Sequence, residues 1–495
     1  MTTIPMPDGV VRPRNSGFVP DADQGVIFRY TDAASGELRI GYLRPDGSGF
    51  RCVSCAAGGA ALEGLVPGQT FPDGRRFLAQ SGASRSAGQV SYRVVECSPS
   101  IAACDTVEVL PITGFPGGAK LQDRVPKLSP DGSTLVWTRI RADGYFMLAG
   151  ALQRGVDAYE IGDVRVLNPP PAPGGGAVGA LAAASSWYEA KSVSYDGKTL
   201  AFAATLGDSL NLDWFLMDLA TGSVQRLTRD ADWDEGGQMA PGGRYMTGGS
   251  SRGGEVMAAL ATLPRPPLFD AAIVGAVANY YLPRGDALPT IRHRRSRLVP
   301  HLLDLSCPDV DAGLTRLGAD DEGWIGDGGG SNIWGRDGVH IVNGERREDD
   351  ADTTRLRLVT ILGAPENTAA PAPMVIPAWA PRLADLTAPR PNVAWRTLPG
   401  PAGGSVTVTL IGDMLAGEFV ARYHGYADGC RVIDGVQRAS VLGALTAHYQ
   451  EDLALSGCEQ GASHVDVLFA DALTTGNAVG VRNGVVHERS FGLGQ

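Results

Sequence analysis

A five-residue phrase recurs along the chain: an aromatic or small residue, Pro or a substitute, Asp-Gly, then a basic or hydroxyl residue. It reads Phe71-Pro72-Asp73-Gly74-Arg75, Ser129-Pro130-Asp131-Gly132-Ser133, Ser194-Tyr195-Asp196-Gly197-Lys198, Ala240-Pro241-Gly242-Gly243-Arg244 and Trp334-Gly335-Arg336-Asp337-Gly338. Copies lead into strand-like runs such as Thr134-Leu135-Val136-Trp137 and Thr199-Leu200-Ala201-Phe202. Asp-Gly between β-rich runs signals a hairpin, because both residues tolerate a positive φ. A sixth, degenerate copy stands at Phe18-Val19-Pro20-Asp21. A spacing of about 45 to 65 residues is that of one four-stranded propeller blade with loop insertions. Blades are expected from near residues 18, 70, 128, 193, 239 and 333, and the stretch 255–325 reads as a divergent blade carrying a long insertion.

The segment Trp214-Phe215-Leu216-Met217-Asp218-Leu219, Thr221-Gly222, Arg226-Leu227-Thr228, Asp232–Glu235, the next Pro-Gly-Gly turn and Ser251-Arg252-Gly253-Gly254 follow in one order. That order resembles the TolB-type, or PD40 (WD40-like), propeller repeat. The resemblance is clearest in the middle of residues 15–380 and poor after 255. It implies an all-β chain with a six- or seven-bladed propeller.

Beyond an Ala/Pro-rich strap over 364–391, alternating runs such as Ser405–Leu410, Glu418–Tyr423 and Val465–Phe469 predict antiparallel strands. The domains expected are a propeller over 15–385, with its insertion at about 255–325, and a C-terminal antiparallel β sandwich or barrel over 386–495. Arg482-Asn483-Gly484-Val485 predicts a type I′ hairpin. Ser440–Leu453 admits a helix instead, with apolar residues at 441, 442, 445, 449 and 453.

A net charge of −11 argues against nucleic acid as a partner. No apolar run is long enough to span a membrane as a helix, and the first residues show no signal-peptide pattern. The cysteines fall as Cys52/Cys55, Cys97/Cys104 and Cys430/Cys458, with Cys307 alone. Local disulfides, which point to an extracytoplasmic compartment, stand beside a four-thiolate zinc site from the first four and beside free thiols, which leave a cytoplasmic location open.

Residues just before each repeat motif are expected to converge on the central channel. They are Asn15, Gln69, Asp123 and Arg124, Glu189 and Lys191, Asp234 and Glu235, and Ser331 and Asn332. This polar ring suits a glycan, another polar small molecule or a protein partner, bound without chemistry. As an alternative, a lyase or hydrolase acting on a polar or anionic saccharide would use Glu189 or Glu235 as base and Arg124 or Lys191 as charge neutraliser. The basic cluster Arg292-His293-Arg294 on the insertion is a further ligand-binding candidate, reaching over the mouth as an anion clamp.

Gly249-x-Ser251-x-Gly253 matches a nucleophile elbow, but no helix–strand alternation follows it. No cofactor is expected. The acidic clusters Asp320-Asp321-Glu322 and Glu348-Asp349-Asp350 are read as solvated loops, with a divalent cation such as calcium as the alternative. Oligogalacturonate-type propeller lyases use inner-strand histidines around a metal, whereas this chain carries Ser331-Asn332 at the corresponding place.

Overall fold

The computed structural model describes residues 1–81, 90–115, 120–171, 174–252, 257–281, 299–307, 309–311, 313–317, 323–326, 333–347, 349–350, 352–386, 393–413, 415–443, 446–470 and 474–492. The described chain forms six antiparallel blades followed by an eight-stranded sheet. Blade one is Val10–Phe18, Val26–Asp32, Leu38–Leu43 and Arg51–Cys52. Blade two is Leu65–Thr70, Arg76–Ser81, Tyr92–Ser98 and Thr106–Thr113; blade three is Lys120–Leu128, Thr134–Arg141, Gly144–Arg154 and Tyr159–Val166. Blade four is Tyr188–Val193, Thr199–Ala204, Asp213–Asp218 and Val224–Arg226; blade five is Asp234–Met239, Tyr245–Ser250, Val299–Asp304 and Thr315–Arg316. In blade six the described parts of the first strand are Trp324–Gly326 and Ile333–Trp334, both paired with His340–Arg347, which pairs in turn with Thr354–Thr360. Its outer edge is completed from the other end of the chain, where Thr2–Thr3 pairs with Thr354–Thr360.

Each repeat motif is the turn between the first and second strands of its blade, so every blade begins one strand before the motif. Only the glycine of each copy is left-handed: Gly74, Gly132, Gly197, Gly243 and Gly338 have φ between 66° and 77°. The N–H of each donates to the carbonyl three residues earlier, as Gly132 does to Ser129 and Gly197 to Ser194. The aspartate does not adopt positive φ. Its carboxylate instead accepts from the backbone beyond the glycine: Asp73 from Arg75 and Arg76, Asp131 from Ser133, Asp337 from Val339 and His340. Asp is thus selected for its side-chain acceptor and Gly for its φ.

Neighbouring blades are joined near the axis by a circuit of hydrogen bonds. Thr70 Oγ1 donates to the Phe18 carbonyl (2.7 Å), the Leu128 N–H to Gln69 Oε1 (2.8 Å), and the Ala190 N–H to Thr138 Oγ1 (3.0 Å). The Met239 N–H donates to Ser192 Oγ (3.0 Å), Trp334 Nε1 to the Gln238 carbonyl (3.1 Å), and Thr354 Oγ1 to the Pro13 carbonyl (2.9 Å). Blades two and three are also fused at their outer edge, where Tyr159–Val166 pairs in parallel with Thr106–Thr113.

Residues 364–382 strap the Asp-Gly face. The Asn367 N–H bonds Asp337 O, Ala372 N–H bonds Tyr195 O, Val375 N–H bonds Gly197 O, and the Val166 N–H bonds Pro381 O. Trp379 Nε1 donates to Leu219 O at 3.0 Å. The strap therefore passes blades six and four before reaching the outer strand of blade three.

The last sheet is a meander in sequence order: Val393–Pro399, Gly403–Gly412, Gly417–Asp428, Arg431–Gly443, Thr446–Gly457, Gly461–Phe469, Thr475–Arg482 and Val485–Phe491. One face is apolar by simple alternation, with Ala447, Tyr449, Leu453 and Leu455 buried along one strand. That alternation corrects the helical alternative for Ser440–Leu453, which is the end of one strand and most of the next. Arg482 and Val485 pair across Asn483 (φ 51°) and Gly484 (φ 84°), a type I′ turn.

The insertion of blade five lies between Ser250 and Val299. Its described helices, α1 (Ala258–Ala261) and α2 (Asp270–Tyr281), pack into the buried face of this sheet rather than over the channel. Phe269 stacks on Phe419 (6.2 Å between centroids), and Arg265 pairs with Glu451 at 2.8 Å with both side chains inaccessible. Tyr449 and Gln437 bond the same carboxylate, and Tyr423 bonds Gln437 (2.6 Å). All of these contacts fall on Glu451 Oε2, so they offset only part of the cost of burying the pair, and Oε1 is buried without a hydrogen-bond partner among the described residues.

The three cysteine pairs lie at disulfide distance, Cys52–Cys55, Cys97–Cys104 and Cys430–Cys458, which sets aside the zinc and free-thiol alternatives for these six; Cys307 is a free thiol. No helix among the described residues is long and apolar enough to cross a membrane.

Two turn glycines separate backbone strain from packing. Gly197 and Gly243 share φ 72°, but a Cβ on Gly197 would meet Pro373 O at 2.0 Å whereas one on Gly243 meets nothing within 4 Å. Gly243→Ala is expected to cost about 1–2 kcal/mol. Gly197→Ala is expected to cost about 1–3 kcal/mol more, because the strap must move. Urea unfolding of both variants checks the difference.

Candidate functional site: the axial channel

The first strand of each blade lines the axis, and five of these strands carry a β-bulge at the same place. Register slips between Arg14 and Gly17, Pro67 and Thr70, Arg124 and Lys127, Ala190 and Ser192, and Glu235 and Gln238. A bulge bends its strand and re-aims the extra residue. Asn15 (φ 51°), Val125 (φ 53°), Gly236 and Gly237 show the backbone cost of these bulges. Repeated around the axis, the bulges open a cavity of about 400 Å³.

Asn15, Gln69, Arg124, Glu189, Lys191 and Glu235 all line that cavity, together with Lys127. Four of them form a charge cluster. Arg124 Nη2 lies 3.2 Å from Glu189 Oε1 and 3.7 Å from Glu235 Oε1; Lys191 Nζ lies 3.2 Å from Glu189 Oε2 and 3.7 Å from Glu235 Oε1. Trp233 Nε1 donates to Glu235 Oε2 at 3.0 Å. Burial opposes the Arg124 charge, but the two carboxylates outweigh it and hold the guanidinium pKa above its ordinary value. Lys127 behaves differently. Burial first, then the nearby Lys191 charge, brings its pKa down to about 8, with Glu189 opposing. Burial likewise carries the Tyr92 and Tyr145 hydroxyls up to about 12, so both stay protonated donors.

Other residues expected on the ring are placed elsewhere. Asp123 turns into blade three, where Arg139 grips it with two bonds (2.7 and 2.8 Å) and Trp137 Nε1 adds a third (3.1 Å). Asp234 is buried against Arg252 (3.4 Å). Strand alternation explains both: a residue next to a channel-facing one points into its blade. Gln69 lines the cavity, but its carbonyl accepts the inter-blade bond from Leu128. Ser331, Asn332, Arg292, His293 and Arg294 lie outside the described residues, as do Asp320-Asp321-Glu322 and Glu348. Asp349 pairs with Arg347 (2.7 Å) and Asp350 accepts from Thr353 (2.6 Å). Ser251, of the elbow-like motif, is buried on the backbone of Trp233. No group of three or more His, Cys, Asp or Glu able to hold a metal occurs among the described residues.

Sequence reasoning missed Lys127 and the channel mouth. The cavity reaches Pro20, Pro72, Pro130, Tyr195, Pro241 and Arg336, the residue before Asp or its equivalent in all six motif copies. The repeat itself carried this signal, since one motif position recurring around an axis must form a ring.

These features define the class: a six-bladed β-propeller with a charged, bulge-widened channel. No family model and no curated protein matches the chain. Among solved structures it is similar to a TolB described as putative from Agrobacterium tumefaciens (14% identity, 71% of this chain and 91% of that one, TM-score 0.37) and to TolB from Acinetobacter baumannii (14%, 71% and 66%, 0.34). It is similar as well to an oligogalacturonate lyase in complex with manganese (11%, 72% and 92%, 0.40).

Two expectations follow from the buried charges. Glu189→Gln leaves Arg124 and Lys191 sharing one carboxylate, at a cost of about 3 kcal/mol. Adding Lys191→Met is expected to recover more than half of it, read as a double-mutant cycle in urea. Asp234 has its pKa raised to about 6, chiefly by burial and against the pull of Arg252. The folded state then holds a proton that the unfolded chain releases near its ordinary value, so stability is greatest below that value and falls as pH rises toward 6. Asp234→Asn should flatten that slope in unfolding midpoints measured from pH 4 to 7.

Proposed function

We propose that this chain is a TolB-like binding propeller, non-catalytic, that holds a polar ligand carrying negative charge, such as an acidic glycan, in the axial channel. The carrying observation is the charge cluster. Among the described residues lining the cavity, Arg124, Lys127 and Lys191 face two carboxylates, Glu189 and Glu235, and each carboxylate is engaged by both Arg124 and Lys191. An excess of one cation in a site of this size favours an anionic small ligand. Carboxylates held by two cations are poorly placed to act as general bases. Three disulfides fit an extracytoplasmic setting for such a binder.

A lyase or hydrolase reading keeps one specific support. Lys127, with its pKa at about 8, is able to exchange a proton near neutral pH. On that reading Arg124 and Lys191 neutralise the substrate carboxylate.

Calorimetric titration with uronic-acid oligosaccharides, with neutral glucans as control, tests the proposal. Binding is expected for the acidic series alone, with no change in the sugar's mass. Lys127→Met should weaken it about ten- to hundredfold, since one charge-assisted contact is worth about 1.5–3 kcal/mol. Because Lys127 loses its proton as pH passes about 8, wild-type affinity should fall between pH 7 and 9 while the variant's stays flat. Equal affinity for acidic and neutral sugars would overturn the reading, and cleavage products would transfer it to the enzyme.

A further inference from the structure

The Cys52-Val53-Ser54-Cys55 segment takes no part in the channel, and its surroundings differ from those of the other two disulfides. Cys55 is exposed and Cys52 half-buried, whereas Cys97 and Cys104 are buried at 2% and 7% exposure. Cys430 and Cys458 are also exposed, but they close a separation of 28 residues between paired strands, against 3 for Cys52 and Cys55. A short loop restrains the unfolded chain little, so its bond adds little to stability and is lost at little cost. Arg39 supplies the chemical distinction: its Nη1 donates to Cys55 Sγ at 3.3 Å. A guanidinium there favours a thiolate on Cys55 over a thiol.

The segment stays anchored without its sulfur–sulfur bond. Cys52, in the outer strand of blade one, pairs with Gly41 of the strand before it, Val53 is fully buried, and Ser54 Oγ accepts the Ile40 N–H at 2.7 Å. Opening the bond therefore frees two thiols without unfolding the blade.

We propose that Cys52–Cys55 is a thiol–disulfide exchange site whose partner is a dithiol, with Cys55 as the sulfur that is attacked. A thiolate of the dithiol attacks Cys55 Sγ, the Cys52–Cys55 bond breaks, and Cys52 leaves as a thiolate that takes a proton from water. The second thiol of the partner loses its proton to water and attacks the partner sulfur of the mixed disulfide. Cys55 then leaves as a thiolate facing Arg39. Two electrons pass to this protein, and the partner ends as its own disulfide. A low-pKa leaving thiol speeds the second step, which is the role assigned to Arg39 as a positioning residue.

The test uses the whole chain and graded dithiothreitol, with maleimide quenching, mass spectrometry of each cysteine and circular dichroism in parallel. Cys52 and Cys55 are expected to open at a reductant concentration at least tenfold below that needed for the other two pairs, with the spectrum unchanged. Arg39→Met should slow opening about tenfold, and Arg39→Lys should restore most of the rate, separating charge from packing. Opening of all three pairs together at the unfolding transition would overturn the proposal, as would equal rates in wild type and Arg39→Met.

Discussion

Closure of the ring is the constraint from which the channel follows. A blade buries apolar surface only against its neighbours, so an open row of six would leave two faces unpaired. Here the last gap is shut twice, by Thr2–Thr3 adding to the edge of blade six and by Thr354 bonding the Pro13 carbonyl. Once closed, the six first strands are forced toward one axis at their crowded ends. Inter-blade bonds from Thr70, Gln69, Thr138, Ser192, Trp334 and Thr354 then fix each strand against the next. Each such bond contributes about 1 kcal/mol at most, but together they set the register in which the bulges align.

Aligned bulges explain why charge can exist at the axis at all. A regular first strand would alternate between the channel and the blade interior, leaving too little space for long side chains. The slips at Arg124, Lys191 and Glu235 re-aim those residues into one volume, where each charge meets two of opposite sign. Desolvation of four charges is offset only by that mutual pairing. The same alternation sends the neighbours Asp123 and Asp234 inward, to Arg139 and Arg252. Channel and blade interior are thus charged in a matched way, each carboxylate with a cation of its own layer.

Much of this was legible in the chain because the repeat is periodic and its chemistry is local. The Asp-Gly turns, the strands that follow them, the cysteine pairs and the Asn483-Gly484 hairpin all depend on residues within a few positions of one another. Positions before each motif pointed to the axis for Arg124, Glu189, Lys191 and Glu235. What failed was parity within adjacent pairs: Asp123-Arg124 and Asp234-Glu235 are both expected whole at the axis, whereas alternation sends the aspartate of each pair into its blade. The destination of the insertion was equally hidden. Helices α1 and α2 pack against a sheet more than a hundred residues later in sequence, and the Arg265–Glu451 pair that anchors them is visible only when both segments are in place. The threonines at Thr2–Thr3 carry no mark of strand pairing, since their partner lies at the other end of the propeller.

The two ends of the propeller are consequently unequal. Helices and the C-terminal sheet gather where the blade-five insertion emerges, while the strap holds the opposite face by bonding the backs of the Asp-Gly turns at Tyr195, Gly197 and Asp337. No strap residue lines the cavity, so the mouth at that face is formed by the motif residues themselves. Four of its six positions are proline, whose fixed φ and missing N–H make a rigid collar with no donor to offer. Tyr195 and Arg336 break the apolar collar, and they are the two copies in which the repeat abandons proline. A rigid entrance with one hydroxyl and one guanidinium leads to a chamber with one excess cation. Positive charge therefore stands at both stations, Arg336 at the mouth and Lys127 in the chamber.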